Sequence, residues 1–201
     1  MDFNPIYERR FNMTKIFWGF IFIFLDFHVG VNLMKINFIP DFVGYILIYQ
    51  GFTEFRQESG YFEKARPLAM ALSVLAGVTF ILDFIGISAT NSILSDIFAV
   101  SILAIDIYMM YCLISGIGEM EYKEHRDYNA ASLKSLWITT VILELVTLVG
   151  SYLSLFTMYG IYTAIILLVT AATLAAFVIH IIFLVKFNNT RKRIEYENYN
   201  G

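Results

Sequence analysis

Cysteine, charge and recognisable catalytic motifs are all scarce in this chain. The single cysteine, Cys112, lies inside an apolar run, which excludes an intramolecular disulfide and leaves the redox compartment unspecified. Charged residues make up 15% of the chain and the net charge is −3, too small an imbalance to imply nucleic acid as a partner. There is no Walker A sequence, no G-x-G-x-x-G, no H-E-x-x-H and no C-x-x-C. Nucleotide-driven, Rossmann, zincin and thioredoxin-like activities therefore lack support, and no cofactor is expected. No A-x-A-like cleavage site follows the first apolar run, which is expected to stay as an uncleaved signal anchor.

What the chain does have is apolar length. Hydrophobic residues reach 58% and mean hydropathy is +0.66, more than a soluble domain carries. A helix needs about 20 apolar residues to span a bilayer. Six runs qualify or come close, at 16–34, 40–55, 66–87, 92–116, 133–156 and 159–187. The expected fold is all-α, a polytopic membrane helical bundle forming one transmembrane domain over 1–201. The first two runs make a hairpin that turns at Pro40-Asp41, with Asp26 and His28 inside its first arm. Pro40 suits a first helical position because its missing N–H needs no partner there. The second run ends in Gln50, Gly51 and Glu54, so it reads as a short span that is tilted, partial or re-entrant.

Positive charge supports this count, because cytoplasmic loops retain Lys and Arg. With six spans and the N-terminus inside, every Lys and Arg except Lys35 falls on the cytoplasmic side. Removing the second span would put the later clusters on the wrong side. The expected location is the cell membrane, with both termini cytoplasmic. Trp18 and Trp137 are expected near the inner interface, and Tyr152, Tyr159 and Tyr162 near the outer one. The segment 119–132 reads as a helical extension and a turn, with Asn129 or Ser132 capping the fifth span. The polar tail 188–201 is expected to fray. Its RKR run reads as a stop-transfer signal, with contact to anionic headgroups as the other reading.

Helical spacing gathers the buried polar residues into faces. Thr140, Glu144, Thr147 and Ser151 align in the fifth span, and Thr163, Thr170, Thr173 and His180 in the sixth. Ala76, Thr79, Asp83, Gly86 and Thr90 share a face of the third, Ser95 and Asp106 of the fourth, and Gly19, Asp26 and Gly30 of the first. These faces are expected to meet inside the bundle. Asp26, His28, Asp41, Asp83 and Asp96 fall toward the outer half, Asp106 and Glu144 near the middle, and His180 in the inner third. A charged carboxylate near a helix centre costs about 2.5–3.5 kcal/mol. Within the spans and at their outer ends, Lys35 and two histidines are too few to neutralise five aspartates and Glu144. Some carboxyls must be protonated, hydrated in a cavity, or bound to a cation.

This pattern points to a carrier, or the substrate-binding membrane subunit of one, for a cation or small cationic solute. Glu144 and Asp106 would be its central sites, and Asp26, Asp83 and Asp96 an outer vestibule. The alternative is a non-catalytic scaffold, or a subunit of a larger complex with a membrane protein partner, in which protonated acids only tie helices together. A third reading is an intramembrane metal-dependent hydrolase, with His28 as a ligand beside Asp26, Asp83 and Asp96. Asp26 and His28 are two apart and point to nearly opposite sides of a straight helix, which weakens that set. A serine protease pairing Ser151 with His180 fails because the two lie at different depths.

Overall fold

The computed structural model describes residues 13–24, 40–85, 93–154, 156 and 159–200, with positions 83, 93–96, 159 and 197–200 described by backbone alone. All regular structure among them is helical: α1 (Thr14–Phe24), α2 (Asp41–Phe55), α3 (Gly60–Phe84), α4 (Ile93–Glu124), α5 (Ala130–Ser154) and α6 (Tyr159–Asn200). Each helix packs on the next, and α6 returns to α1, so the six form a closed ring. Neighbours run antiparallel. The α1–α6 pair shows this, since Phe24 meets His180, Phe20 meets Phe187 and Thr14 meets Glu195.

Four helices are long and apolar enough to cross a bilayer, over Gly60–Leu82, Ile97–Glu124, Ala130–Ser154 and Gly160–Tyr196. Even in the best covered of them only 28% of the apolar stretch is buried in protein. Water would not tolerate so much exposed Ile, Leu, Val and Phe, and lipid does. The chain is a helical membrane bundle. Of the expected first span, 16–34, the part beyond Phe24 lies outside the described residues. The 15 residues of α2 extend about 22 Å, short of the roughly 30 Å hydrocarbon core. Pro40 precedes α2 in an extended conformation, and Asp41 takes the first turn.

The antiparallel ring brings the ends that carry Lys15, Arg66, Lys123, Lys134 and Arg193 to one side of the bundle, and this charged half holds most of the buried core. Phe20 lies edge-on to Phe183 and Phe187, with centroids 5.8 and 5.3 Å away, and seals α1 against α6. Ser59 ties α3 to α4. Its hydroxyl oxygen caps α3 by accepting the Tyr61 N–H at 3.1 Å, and its proton goes to Glu119 Oε2 at 2.5 Å. Because Ser59 is buried, Ser59→Ala removes the cap on the Tyr61 N–H and the tie to Glu119, which keeps only Lys123 at 2.8 Å, and is expected to cost about 1–2 kcal/mol. Thermal unfolding should show this as a midpoint about 2–8 °C lower. An unchanged midpoint would mean that water replaces the hydroxyl.

The end of α6 departs from expectation. Instead of fraying after Phe187, the helix continues to Asn200, a length of about 63 Å. Thr190 and Ile194, one turn apart and both buried, hold it against the α4–α5 turn, where the Thr190 hydroxyl donates to the Tyr128 carbonyl at 2.7 Å. On another face Arg191 lies over the Phe17 ring at 4.8 Å and donates to Thr14 at 3.3 Å. The turn itself closes α4 with His125 at φ 54°, and Arg126 N–H reaches the Glu121 carbonyl at 3.2 Å, as in a Schellman motif. Asn129, at φ 64°, directly precedes α5 and its carbonyl accepts the Leu133 N–H. Asp127 accepts the Asn129 N–H at 2.8 Å, and this bond, together with the nearby Arg193 guanidinium, holds its carboxyl below the usual range.

Candidate functional site

The interior polar groups converge where α2, α4, α5 and α6 face one another. Asp106, near the middle of α4, accepts a hydrogen bond from the buried Tyr45 hydroxyl of α2 at 3.3 Å. Glu144 of α5 lies 3.9 Å from His180 Nε2 of α6. Thr140, one turn before Glu144, is buried beside them. The Phe24 ring covers the imidazole, with centroids 4.5 Å apart.

Between these groups is a cavity of about 20 Å³ lined by Phe24, Asp106, Trp137, Thr140, Glu144 and His180. That is room for roughly one water molecule or one small ion. Two carboxyls and one imidazole face it, and His180 is the one basic group among its lining residues. The Trp137 indole nitrogen is buried and has no acceptor among the described residues. A largely apolar surround makes net negative charge on two neighbouring acids costly. Such a site can take up a proton, pass one between carboxyl and imidazole, or hold a small cation with water.

Glu144 and Asp106, the expected central pair, therefore share one cavity. Asp26 and His28 lie outside the described residues. Asp83 falls in the last turn of α3 and Asp96 in the first turn of α4, but their side chains also lie outside the described residues. Among the described residues no group of three His, Cys, Asp or Glu side chains is placed to hold a metal ion. Ser151 is exposed and donates to the Thr147 carbonyl at 2.8 Å, so it forms no nucleophile with His180.

His180 of α6 reaches Glu144 of α5 and so acts between helices. Trp137 lines the cavity and packs against Tyr111 at 6.0 Å. One expectation needs correction. The threonines of α3 and α6 do not mark the interior: Thr79, Thr170 and Thr173 are exposed, and their hydroxyls donate to carbonyls three or four residues earlier in their own helices. A hydroxyl satisfied in this way can face lipid at little cost. Sequence reasoning misses Tyr45 altogether, although it lies one turn after Asp41 in a helix with few other polar side chains.

An all-α bundle with membrane-length helices around a small acid-and-imidazole cavity defines a helical membrane protein. Comparison with family models, with curated proteins and with solved structures finds no match to this chain.

Proposed function

We propose that this chain is a small carrier, or the substrate-binding membrane subunit of one, that takes a proton or small cation into the cavity beside Glu144, Asp106 and His180. The observation that supports this reading is the convergence of ionisable side chains from three helices on one small cavity. An organic cation would not enter 20 Å³ without the helices parting. Asp26, Asp83 and Asp96 would serve as the approach from the far end. The charged end faces the cytoplasm of the cell membrane, on the rule that basic residues stay inside.

The scaffold reading has one observation in its favour: the Tyr45–Asp106 bond ties α2 to α4 whether or not anything binds. Thermal unfolding of detergent-purified protein across pH and against monovalent and divalent cations separates the two, with Glu144→Gln alongside. A carrier site gives a response that the variant loses. A scaffold gives the same profile in both proteins.

A further inference from the structure

A second recess opens at the charged end, outside the carrier site and independent of it. It is a cleft of about 590 Å³ between the 125–129 turn and the last turns of α6, lined by Arg126, Asp127, Tyr128, Lys192, Arg193 and Tyr196. We infer that this cleft binds a phosphate-bearing anion, with Arg126, Lys192 and Arg193 as its cationic wall and Tyr196 as its rim.

Three basic groups and one carboxylate line the cleft. Arg193 is held in place by the turn: one of its N–H groups donates to the Asp127 carbonyl at 2.9 Å, and the guanidinium lies 3.4 Å from Asp127 Oδ2. A guanidinium has five donors, so this anchoring leaves others for a ligand. Lys192 precedes it, and Tyr196 follows one turn later on the same side of α6. Arg126 arrives from a distant part of the chain. The wall facing it is fixed by buried contacts, since Tyr128 is buried and Thr190 donates to its carbonyl. The Arg193 guanidinium and the turn that carries Arg126 are therefore in place before any ligand arrives, which lowers the cost of binding.

Position suggests which anions reach it. Lys192 lies five residues beyond Phe187, where the apolar run of α6 ends, so roughly 8 Å along the axis. That is the depth of lipid headgroups, where basic clusters recruit anionic lipid. Tyrosine, apolar in body and polar at the tip, suits the same layer. A soluble phosphate would present the same chemistry from the aqueous side. Of the RKR run only Lys192 and Arg193 face the cleft, because Arg191 is engaged with Phe17 and Thr14.

The test is thermal unfolding of the full chain in neutral detergent, titrated separately with phosphatidylglycerol, with phosphatidylcholine and with inorganic phosphate. The comparison variants are the double substitution Arg126→Gln/Lys192→Gln, which spares the Arg193–Asp127 contact, and the charge-matched control Lys64→Gln/Lys134→Gln at the same end of the bundle. All four side chains are exposed, so both variants are expected to fold. A midpoint rise with phosphatidylglycerol but not phosphatidylcholine, needing at least tenfold more lipid in the Arg126/Lys192 variant and unchanged in the control, supports a headgroup site. The same pattern with inorganic phosphate supports a soluble anion. No rise with either anion, a rise that the Arg126/Lys192 variant leaves unchanged, or equal loss in both variants overturns the cleft.

Discussion

Glu144→Gln is expected to yield an inserted, folded protein whose thermal midpoint loses its response to added cation and the part of its pH dependence that the cavity contributes. The amide keeps the length, shape and hydrogen-bonding reach of the carboxyl, so the packing of Thr140, Phe24 and His180 around the cavity is retained. What it removes is the capacity to carry a proton or a negative charge. A ligand present at 100 times its Kd stabilises the native state by about 2.7 kcal/mol. For a chain of this size each kcal/mol moves the midpoint by about 2–4 °C, so wild type should shift by about 5–10 °C. In Glu144→Gln the shift should fall to within about 2 °C of zero, since Asp106 remains but its partner at the cavity is gone.

Asp106→Asn tests the other half of the site. The amide oxygen in this variant can still accept from the Tyr45 hydroxyl, so the tie between α2 and α4 survives while the charge does not. The carrier reading expects a reduced response here too. If both variants unfold as wild type does at every pH and with every cation tried, the acids are packing elements and the scaffold reading stands.

The two residues carrying these expectations were legible because each is an acid in the middle of a long apolar run, where only a proton, water or a cation makes it tolerable. The alternation of apolar runs with basic clusters likewise implied antiparallel neighbours, and the ring has them. Less of the detail around the site could be read. Thr170 and Thr173 share a helical face with His180, yet each threonine satisfies its hydroxyl within its own helix and is exposed, so polarity alone did not separate inward from outward positions. Trp137 and Tyr45 are amphipathic, equally suited to an interface belt and to the edge of a polar cavity, and only the packing of α2 and α5 against α4 decides. The extent of α6 depends on Thr190 and Ile194 finding the α4–α5 turn, a contact that hydropathy does not report. His180 does reach inward, to Glu144. Its partner could not be named without knowing how α5 and α6 are set against each other.

Gly44→Leu is expected to be the most damaging substitution away from the cavity, because it acts where two backbones touch. A Cβ built on Gly44 would stand 2.7 Å from the Gly19 carbonyl oxygen and 2.7 Å from Ile23 Cγ1, while one on Gly19 would stand 2.7 Å from the Gly44 carbonyl oxygen. Carbonyl oxygens of a helix cannot rotate away, so α1 and α2 must separate. Gly51, two turns beyond Gly44, continues the seam against Ile16. Close approach through glycine gains its stability from van der Waals contact, the term available to helices in lipid. The seam matters most for α2, whose 15 residues are too few to span the hydrocarbon core and whose end carries Gln50 and Glu54. Its place in the bundle rests on packing against α1 and α3 rather than on its own hydropathy. Overpacking costs about 1–3 kcal/mol in a core that can adjust, and rigid backbone on both sides puts Gly44→Leu at or above the upper end. The expected result is a midpoint lower by about 6–12 °C, or no monodisperse protein after extraction. Gly160→Ala is the matched control: its Cβ meets nothing within 4 Å, and alanine is the better helix former. If Gly44→Leu unfolds no earlier than Gly160→Ala, the glycine seam does not hold α2 in place.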